Sequence, residues 1–448
     1  MTIHSDWSRL LHEECPQAFG AQVPRSVRPQ VGVIDGHLQL MCLHKGLPSW
    51  DAFLQYLFIK PIMLLFAAGC PRVVLCFDCY DHVPIYKSMT QTKRTMKTKV
   101  CVFDPAHGLP ARIPEDPMLY LMNRSFKIKL VEMICDKLPG MLLERLKPEQ
   151  EFIVDYKRVV MYQHDGGNIP RVMEELKPMG ESDVKFIRYV DLYGSALVHA
   201  IDGDYLAIAL LYYTKNPSSL LTHQIHIFRQ LSSFHHHAAT PKPLKQRKKT
   251  VKCWVDVQLL YSTILQAMRQ SSVGCELLNV NTGDRFTDAD SVRAAVFLML
   301  LAGTDFSRSL PWLGPKRLWD NLPHIVGPLL QSTSVVIDDD IMPEIELSLD
   351  LVVAKLYRLV FTKHCGWATG SLEQTLKALD SSGLSASVKS KMPTADQVWT
   401  TAQNVAWVMS YWKTYNSQID TPLDGSCGFA RCPLSRQITF SDLLLPPR

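Results

Sequence analysis

The chain has little net charge, no signal-like start and no long apolar run without interruption. Its 448 residues carry a formal net charge of only +5, so bulk charge gives no argument for nucleic-acid binding, which would need local basic patches. The start MTIHSDWSRLLHEECPQ lacks the charged and then apolar order of a secretory signal, and we expect an intracellular protein. Lys60 and Pro61 interrupt the most apolar stretch, 52–69, which favours a buried helix broken by proline over a membrane span.

The twelve cysteines also lack the regular spacing of a disulfide framework or a zinc site. They are spread singly, apart from the close pairs Cys76/Cys79 and Cys427/Cys432. No second pair lies near the first one in sequence, which disfavours zinc there, and a reducing compartment fits this usage best. The length predicts two or three domains, or one heavily elaborated domain.

Three short apolar runs each end on an aspartate. They are VGVID at 31–35, RVVLCFD at 72–78 and ALVHAID at 196–202. Continuous apolar runs of this length predict strands that are buried on both faces of a parallel sheet. Residues 49–69 are long enough for a helical crossover between the first two strands.

The carboxyl ends of these strands are predicted to form one crevice. In open α/β sheets the ligand lies beyond the carboxyl ends of the strands, so we expect Asp35, Asp78 and Asp202 to meet there. Asp204 follows closely in IDGDYLAIALL. The Asp-Gly dipeptide by itself is typical of a solvated turn, but carboxylates are rarely buried unless they are paired or bound to a metal.

Residues 178–193 predict a helix that begins with two acidic side chains, Glu181 and Asp183. Val184, Ile187 and Val190 recur three apart, as on one helical face. Acidic residues are favoured at helix starts by the helix dipole alone. Residues two apart do not share a helical face, so both could serve one site only if the turn is irregular or one acts through water.

Residues 291–322 predict an apolar helix, a loop with Asp305, and a second helix that opens with LGPKRLW. The start of this second helix combines free backbone amides with two cations. The residues concerned are Gly314, Lys316 and Arg317. That combination suits contact with a phosphate backbone.

Two segments are interpreted as insertions. Residues 87–150 begin with a basic cluster, and residues 214–252 contain FHHHAATPKPLKQRKKTVK. Such charge runs are usually solvated loops; the alternative is nucleic-acid contact or a nuclear-import signal, which favours the nucleus over the cytoplasm. The basic cluster consists of Lys87, Lys93, Arg94, Lys97 and Lys99.

Seven carboxylates thus occupy positions that converge on one crevice. Without compensating cations they would repel one another, and several would stay protonated. Hard oxygen ligands suit Mg²⁺ or Mn²⁺ better than zinc, and two such ions about 4 Å apart can support phosphodiester hydrolysis. The seven are Asp35, Asp78, Glu181, Asp183, Asp202, Asp204 and Asp305.

Taken in order, these motifs resemble the flap endonuclease-like 5′ nucleases over residues 1–325. MTIHSDWSRLL resembles the family's Met-Gly-Ile-x-x-Leu start, VGVIDGHLQL its first metal strand, and VVLCFDCYDHVPIYKSMTQTKR its Asp-Gly-Lys-Pro-Pro strand and gateway helix. GESDVKF resembles its Glu-Ala-Glu or Glu-Ala-Asp motif, and IDGDYLAIALL its Asp-x-Asp motif. LLAGTDFSRSLPWLGPKRLW resembles its seventh ligand with the helix–two-turn–helix element that binds duplex.

The resemblance implies a PIN-like α/β fold, with a central, mainly parallel sheet flanked by helices. It implies a helical arch over about 87–150 and a helix–two-turn–helix over about 291–325. The implied cofactors are two Mg²⁺ ions, replaceable by Mn²⁺, on the seven carboxylates, and a K⁺ ion at the helix–two-turn–helix. Residues 326–448 would form a mostly helical region of unassigned role.

The resemblance also assigns roles to cations. Lys87 and Arg94 would be the catalytic residues that hold the scissile phosphate. Nucleic-acid contacts would come from Lys93, Gly314, Lys316 and Arg317.

The chain departs from the family pattern at three positions. Thr2 replaces a glycine where the chain start lies close to substrate, and Met41 stands where many members carry a base-stacking tyrosine. Trp312 replaces the first glycine of the Gly-x-Gly-Pro turn that binds K⁺ and phosphate. The intact carboxylates argue for a working metal centre, and the altered periphery argues for a divergent substrate.

Three functions are left open. The first is a metal-dependent 5′ nuclease, endonuclease or exonuclease, that hydrolyses flapped or branched DNA in repair or replication. The second is an RNA-directed nuclease of the same fold, because GESDVKFIRYV also resembles the Gly-Glu-x-x-x-K motif of 5′–3′ exoribonucleases; host-shutoff enzymes belong to this class too. The third is a catalytically silent nucleic-acid-binding scaffold, which the intact carboxylates disfavour.

The C-terminal region gives weaker signals. Residues 397–416 predict a largely buried helix with Trp399, Trp407 and Trp412 packed in a core. The final RQITFSDLLLPPR resembles a sliding-clamp-binding peptide, with leucines where paired aromatics are usual, so a docking or disordered tail is the simpler interpretation. We expect a monomer. The clamp-like positions are Gln437, Phe440, Leu443 and Leu444.

Overall fold

The computed structural model describes several continuous stretches and a set of short pieces of the chain. The stretches are 4–44, 46–79, 101–164, 170–177, 179–232, 250–271, 287–301 and 314–320, and the pieces lie between 354 and 440. Four predicted site residues lie outside the described residues: Lys87, Lys93, Arg94 and Asp305.

A nine-stranded mixed sheet lies at the centre of the described chain. Its strands are β1 (Phe19–Gly20), β2 (Val31–Asp35), β3 (Arg72–Cys76), β4 (Glu151–Asp155), β5 (Val159–Gln163), β6 (Arg171–Val172), β7 (Ala196–His199), β8 (Ile225–Ser232) and β9 (Thr250–Asp256). Their order is β1-β9-β8-β7-β2-β3-β4-β5-β6. The strands from β8 to β4 run parallel, and the outer strands join antiparallel. The predicted α/β class with a mainly parallel centre is confirmed.

The three apolar runs that end on aspartate form three neighbouring central strands. β2 lies between β7 and β3, with Asp35 opposite Cys76 and Ile34 opposite His199. All five residues of β2 are buried. Because consecutive side chains point to opposite faces of a strand, Val33 joins one hydrophobic core and Ile34 the other.

Helices cover both faces of this sheet, as a parallel sheet requires. The Ser182–Tyr193 and Asp204–Lys215 helices contribute to the first core, and Arg124–Leu143 to the second. The helices are His4–Glu14, Gly36–Met41, Trp50–Leu54, Lys60–Ala67, Pro117–Leu121, Arg124–Leu143, Ser182–Tyr193, Asp204–Lys215, Ser219–Thr222, Val257–Ser271, Asp288–Leu301, Leu372–Asp380 and Ala386–Lys389, with short 3-10 turns at Pro16–Ala18 and Pro105–His107 and a helical segment at 315–320.

The helix of the apolar stretch runs without a break from Trp50 to Ala67, so the expected break at proline is wrong. Trp50–Leu54 and Lys60–Ala67 are joined by a π-helical turn at Gln55–Ile59. The wider turn before Pro61 accommodates its ring and its missing N–H. Trp50–Ala67 is long and apolar enough to cross a membrane by length and composition. Phe53 and Phe58 are nevertheless fully buried in the second core, and a core helix passes the same test.

The Arg124–Leu143 helix links the parallel strands β3 and β4 as their crossover. Phe126, Leu130 and Ile134 are fully buried in the second core. This helix therefore packs on the sheet, and Phe103, Leu109 and Leu121 also pack in the second core. In the second predicted insertion, 214–252, β8 and β9 form an antiparallel pair, and residues 233–249 between them lie outside the described residues.

Described residues of the C-terminal region belong to the first core. Tyr357, Val398 and Trp412 are buried in the same cluster as the helices on that face of the sheet. The burial of Trp412 matches the predicted core role, and Trp399 and Trp407 lie outside the described residues. Near the end of the chain, Phe429–Arg431 and Ile438–Phe440 form a two-stranded antiparallel sheet. The clamp-like positions Gln437, Leu443 and Leu444 are outside the described residues.

Candidate functional site

The carboxyl ends of β7, β2 and β3 lie side by side and carry acidic residues. Asp35 is the last residue of β2, Asp78 follows β3, and Asp202 follows β7. Asp35 and Asp78 are buried, with 8% and 5% of their surface exposed, whereas Asp202 is exposed. The edge of the sheet where a crevice is predicted therefore carries buried carboxylates.

Backbone N–H groups hold the Asp35 carboxylate. Asp35 precedes the Gly36–Met41 helix, and its Oδ1 accepts hydrogen bonds from the N–H of His37 at 3.0 Å and of Leu38 at 3.3 Å. An aspartate in this position satisfies N–H groups that have no partner within the helix. Asp35 thus ends strand β2 and caps the following helix, and the two hydrogen bonds fix the position of its carboxyl group.

Glu181 and Asp183 flank the first residue of the Ser182–Tyr193 helix. Glu181 has extended backbone, with φ −100° and ψ 133°, and Asp183 lies in the first turn. Both side chains are buried. Because Glu181 precedes the helical turns, the rule that residues two apart face different directions does not separate the two carboxylates. Glu181 is the N-cap residue and lies outside the regular helix, whereas Asp183 lies within it.

Two hydrogen bonds join this helix start to the end of β3. The Cys79 N–H donates to the Gly180 carbonyl at 2.7 Å, and the Ser182 N–H donates to Asp78 Oδ1 at 2.9 Å. The Ser182 hydroxyl also donates to Asp35 Oδ1 at 3.4 Å. These bonds place Glu181 and Asp183 beside the strand ends.

The Asp202–Asp204 turn completes the described carboxylates. The Asp204 N–H donates to Asp202 Oδ1 at 3.3 Å, and Asp204 begins the Asp204–Lys215 helix. Asp204 is buried although Asp202 is exposed. The turn therefore points one carboxylate into the protein and leaves the other in solvent.

Burial and neighbouring carboxylates together raise the pKa of Asp35. Burial is the largest cause that raises the pKa of Asp35 from 3.8 to about 7, followed by the charges of Asp78 and Asp183 and, more weakly, of Asp202. Burial and the charges of Asp35 and Asp183 also raise the pKa of Tyr205 well above its usual range. Within the described residues, the Tyr205 hydroxyl has no hydrogen-bond partner.

A buried cation that the sequence analysis missed lies near the Asp202–Asp204 turn. Arg229 on β8 is 2% exposed, and its guanidinium donates to the Ser8 hydroxyl. Burial lowers the pKa of Arg229 to about 10, and the charges of Asp202 and Asp204 partly offset that effect. Arg229 therefore compensates part of the negative charge at this end of the cluster. The sequence offered no signal beyond a basic residue within an apolar strand.

The donor set fits a hard divalent cation in charge and in ligand type. A neighbouring cation would offset the charge of these buried carboxylates, and oxygen ligands suit Mg²⁺ or Mn²⁺. Among the described residues, however, no three His, Cys, Asp or Glu side chains are arranged as a group that could hold a metal ion. Asp305, which the prediction includes in the ligand set, lies outside those residues.

Of the predicted duplex-binding residues, Lys316 is already paired. Its Nζ lies 2.6 Å from Glu14 Oε1 and 2.8 Å from Asp320 Oδ1. Gly314 precedes the helical segment 315–320, which includes Arg317, and all three predicted contacts are at least partly exposed. Any contact of Lys316 with a phosphate would have to compete with two carboxylates.

A second buried network, also missed by the sequence analysis, lies beneath the helix start. Lys185 Nζ donates to Asp155 Oδ1 at 2.7 Å and to the Phe77 carbonyl at 2.8 Å, and both charged side chains are fully buried. The Tyr189 hydroxyl donates to Asp155 Oδ2 at 2.7 Å, and Arg188 Nη1 lies 3.7 Å from the same oxygen. The run EFIVD, which is β4, carried the same signal as VGVID, because it too is an apolar run that ends on aspartate.

Replacing Gly36 with alanine should destabilise the protein by about 1–3 kcal/mol, the usual cost of overpacking. A Cβ at Gly36 would lie 2.3 Å from the Phe77 ring and 2.8 Å from the Cys76 carbonyl oxygen. Urea unfolding measures the effect. Gly140→Ala is the matched control, because Gly140 lies in the Arg124–Leu143 helix with open space around its Cβ; it should stabilise the protein by about 0.5 kcal/mol. Equal effects of the two substitutions would contradict the close packing at Gly36.

Comparisons with known proteins add nothing to these observations. No family model matches the chain, and no curated protein matches it either. Its function is therefore argued from the arrangement of its own residues.

Proposed function

We propose that the chain is a divalent-metal-dependent 5′ nuclease with a PIN-like fold, acting on flapped or branched DNA. The observation that supports this most is the group of buried carboxylates at the carboxyl ends of three adjacent parallel strands. Ligands bind at this edge in open α/β sheets. The ordered sequence motifs resemble those of flap endonuclease-like enzymes at the same positions.

In this proposal the chain's own residues hold and orient the ions. The buried carboxylates of Asp35, Asp78 and Asp183 supply one group of oxygens, and the Asp202–Asp204 turn supplies the other. When bound, Mg²⁺ lowers the pKa of a water ligand and stabilises the oxygens of an in-line phosphoryl displacement. Glu181 and Asp305 complete the proposed ligand set.

Further residues contribute to substrate binding in this proposal. Lys87 and Arg94 hold the scissile phosphate, and Lys93 contacts the strand beside it. Gly314 and Arg317 supply a backbone amide and a cation for duplex DNA, together with Lys316. We propose a monomer that works inside the cell nucleus.

The RNA-directed alternative gains no contact from the Gly-Glu-x-x-x-K resemblance. Its lysine, Lys185, is fully buried against Asp155, so it is out of reach of a substrate. DNA is therefore the substrate we propose, and RNA is an outcome of the test.

Purified protein should cut 5′-labelled flap DNA near the junction with Mg²⁺, and chelation should stop the reaction. Asp78→Asn should slow cutting by about 10²–10³-fold, the loss typical when one preorganised electrostatic contact of an active site is removed. The amide oxygen can still accept the Ser182 N–H, so the fold should persist. Asp116→Asn is the control, because Asp116 is exposed and makes no side-chain cap hydrogen bond.

Matched single-stranded RNA is run in parallel. Metal-dependent cutting confined to RNA would replace the DNA proposal with the RNA-directed one. Binding of both nucleic acids without cutting of either would favour the non-catalytic scaffold.

A further inference from the structure

A closed ring of hydrogen bonds joins two strand ends to the helix start. His37 Nδ1 accepts the backbone N–H of Asp78 at 3.2 Å. The Asp78 carboxylate accepts the Ser182 N–H at 2.9 Å, and the Ser182 hydroxyl donates to Asp35 Oδ1 at 3.4 Å. Asp35 Oδ1 accepts the backbone N–H of His37 at 3.0 Å, which closes the ring.

The His37 side chain continues the connection between β2 and β3 after their backbone pairing has ended. The last paired residues of these strands are Asp35 and Cys76. Asp78 lies beyond that point, and the imidazole accepts its N–H in place of a strand carbonyl. Since a backbone N–H can only donate, Nδ1 is the unprotonated nitrogen and the ring proton lies on Nε2.

Close packing limits movement of the His37 side chain. The His37 ring meets the Phe77 ring edge to face, with centroids 6.0 Å apart and planes at 74°. Phe77 occupies the space that a side chain at Gly36 would need. The imidazole therefore packs against Phe77, whose ring is itself packed closely against Gly36.

We propose that His37 is a positioning residue: by accepting the Asp78 N–H through Nδ1, it fixes the Asp78 carboxylate relative to that of Asp35 for a shared divalent cation. This inference rests on the proposed function. Loss of the acceptor removes the hydrogen bond by which His37 holds the Asp78 backbone. Removal of such an outer partner of a metal ligand usually weakens metal affinity by about 10–100-fold.

Three substitutions of His37 in the full chain test the role of Nδ1. His37→Asn places an acceptor oxygen near the position of Nδ1, His37→Gln places it near that of Nε2, and His37→Ala removes both. Calorimetric titration with Mn²⁺ is the first readout, and cutting of flap DNA is the second. The Ala and Gln variants should bind Mn²⁺ about 10–100-fold more weakly, and the Asn variant should stay close to wild type.

His44→Ala is the matched control, because the exposed His44 also accepts a backbone N–H through Nδ1, that of Gly46 at 3.1 Å. Its Mn²⁺ affinity should equal that of wild type. Equal losses in the Asn and Ala variants, or no loss in any variant, would overturn the role of Nδ1 while wild-type binding and cutting still stand. Wild-type protein that neither binds Mn²⁺ nor cuts would overturn the proposed function and this inference together. If His37→Ala does not fold, the Mn²⁺ affinities of the Asn and Gln variants still test the role of Nδ1.

Discussion

Asp155→Asn should lower the free energy of unfolding by about 3–5 kcal/mol, the cost of breaking a buried ion pair. Asp155 and Lys185 are fully buried, and Arg188 is nearly so. The substitution removes the negative charge that lies against Lys185 and Arg188. Two positive charges then stay buried without a neighbouring carboxylate. An asparagine oxygen can still accept a hydrogen bond from Tyr189, but it carries no charge.

Urea unfolding of the variant and of a matched surface variant measures this effect. Glu132 accepts hydrogen bonds from Lys129 and Lys157, both at 3.1 Å, so it too lies between two cations, but it is 36% exposed. Glu132→Gln should cost less than about 1 kcal/mol because water solvates the remaining charges.

The double variant Asp155→Asn with Lys185→Met separates charge from packing. It removes the fully buried lysine charge together with its carboxylate, and so it should recover at least about 1 kcal/mol of the loss. A double variant no more stable than Asp155→Asn would contradict the electrostatic explanation. The network also anchors the Ser182–Tyr193 helix, whose start carries Glu181 and Asp183, so its loss should weaken the site.

Asp35→Asn should raise stability at neutral pH while it slows cutting. The pKa of Asp35 rises from 3.8 to about 7 on folding. Ionisation of Asp35 in the folded protein therefore lowers the free energy of unfolding by roughly 4 kcal/mol. An amide avoids the cost of a buried charge and the repulsion from Asp78 and Asp183, and it keeps an oxygen for the His37 and Leu38 N–H groups. A gain of stability together with a loss of activity is common at active sites.

The direction of the pH dependence follows from the raised pKa. Below about pH 4 the Asp35 carboxyl is protonated in both the folded and the unfolded chain, and its ionisation costs nothing. Between about pH 4 and 7 the unfolded chain loses the proton and the folded chain keeps it, so wild-type stability falls as pH rises. Above about pH 7 the loss is complete and the contribution levels off.

Chemical unfolding at pH 4, 5.5 and 7.5 in the presence of chelator measures this difference. The gap between Asp35→Asn and wild type should be near zero at pH 4 and largest at pH 7.5, up to about 4 kcal/mol. Asp116→Asn should have the same stability as wild type at each of these pH values. Added Mg²⁺ should stabilise wild type more than Asp35→Asn, because only wild type retains the full ligand set. A gap that is independent of pH would contradict the raised pKa of Asp35.

The sequence was sufficient to predict the three central strands, although β3 ends at Cys76 and β7 at His199, shortly before the predicted aspartates. An apolar run such as VGVID is too continuous for an exposed strand, and its aspartate marks the point where the chain leaves the sheet. The α/β class and the placing of Asp35, Asp78 and Asp202 at one edge follow from that local pattern and from the parallel arrangement. Local signals of this kind need no knowledge of distant residues.

The tertiary structure decided which carboxylates stay uncompensated. Asp155 ends an apolar strand as Asp35 does, but Lys185 from a distant helix neutralises it, and no local pattern shows that pairing. Arg229 likewise reaches the Asp202–Asp204 turn only because β8 pairs with β7. By themselves the residues determined where acidic groups leave the sheet. Only the packing of distant elements determined which of those groups meet a cation and which meet one another, because charges interact through space and not along the chain.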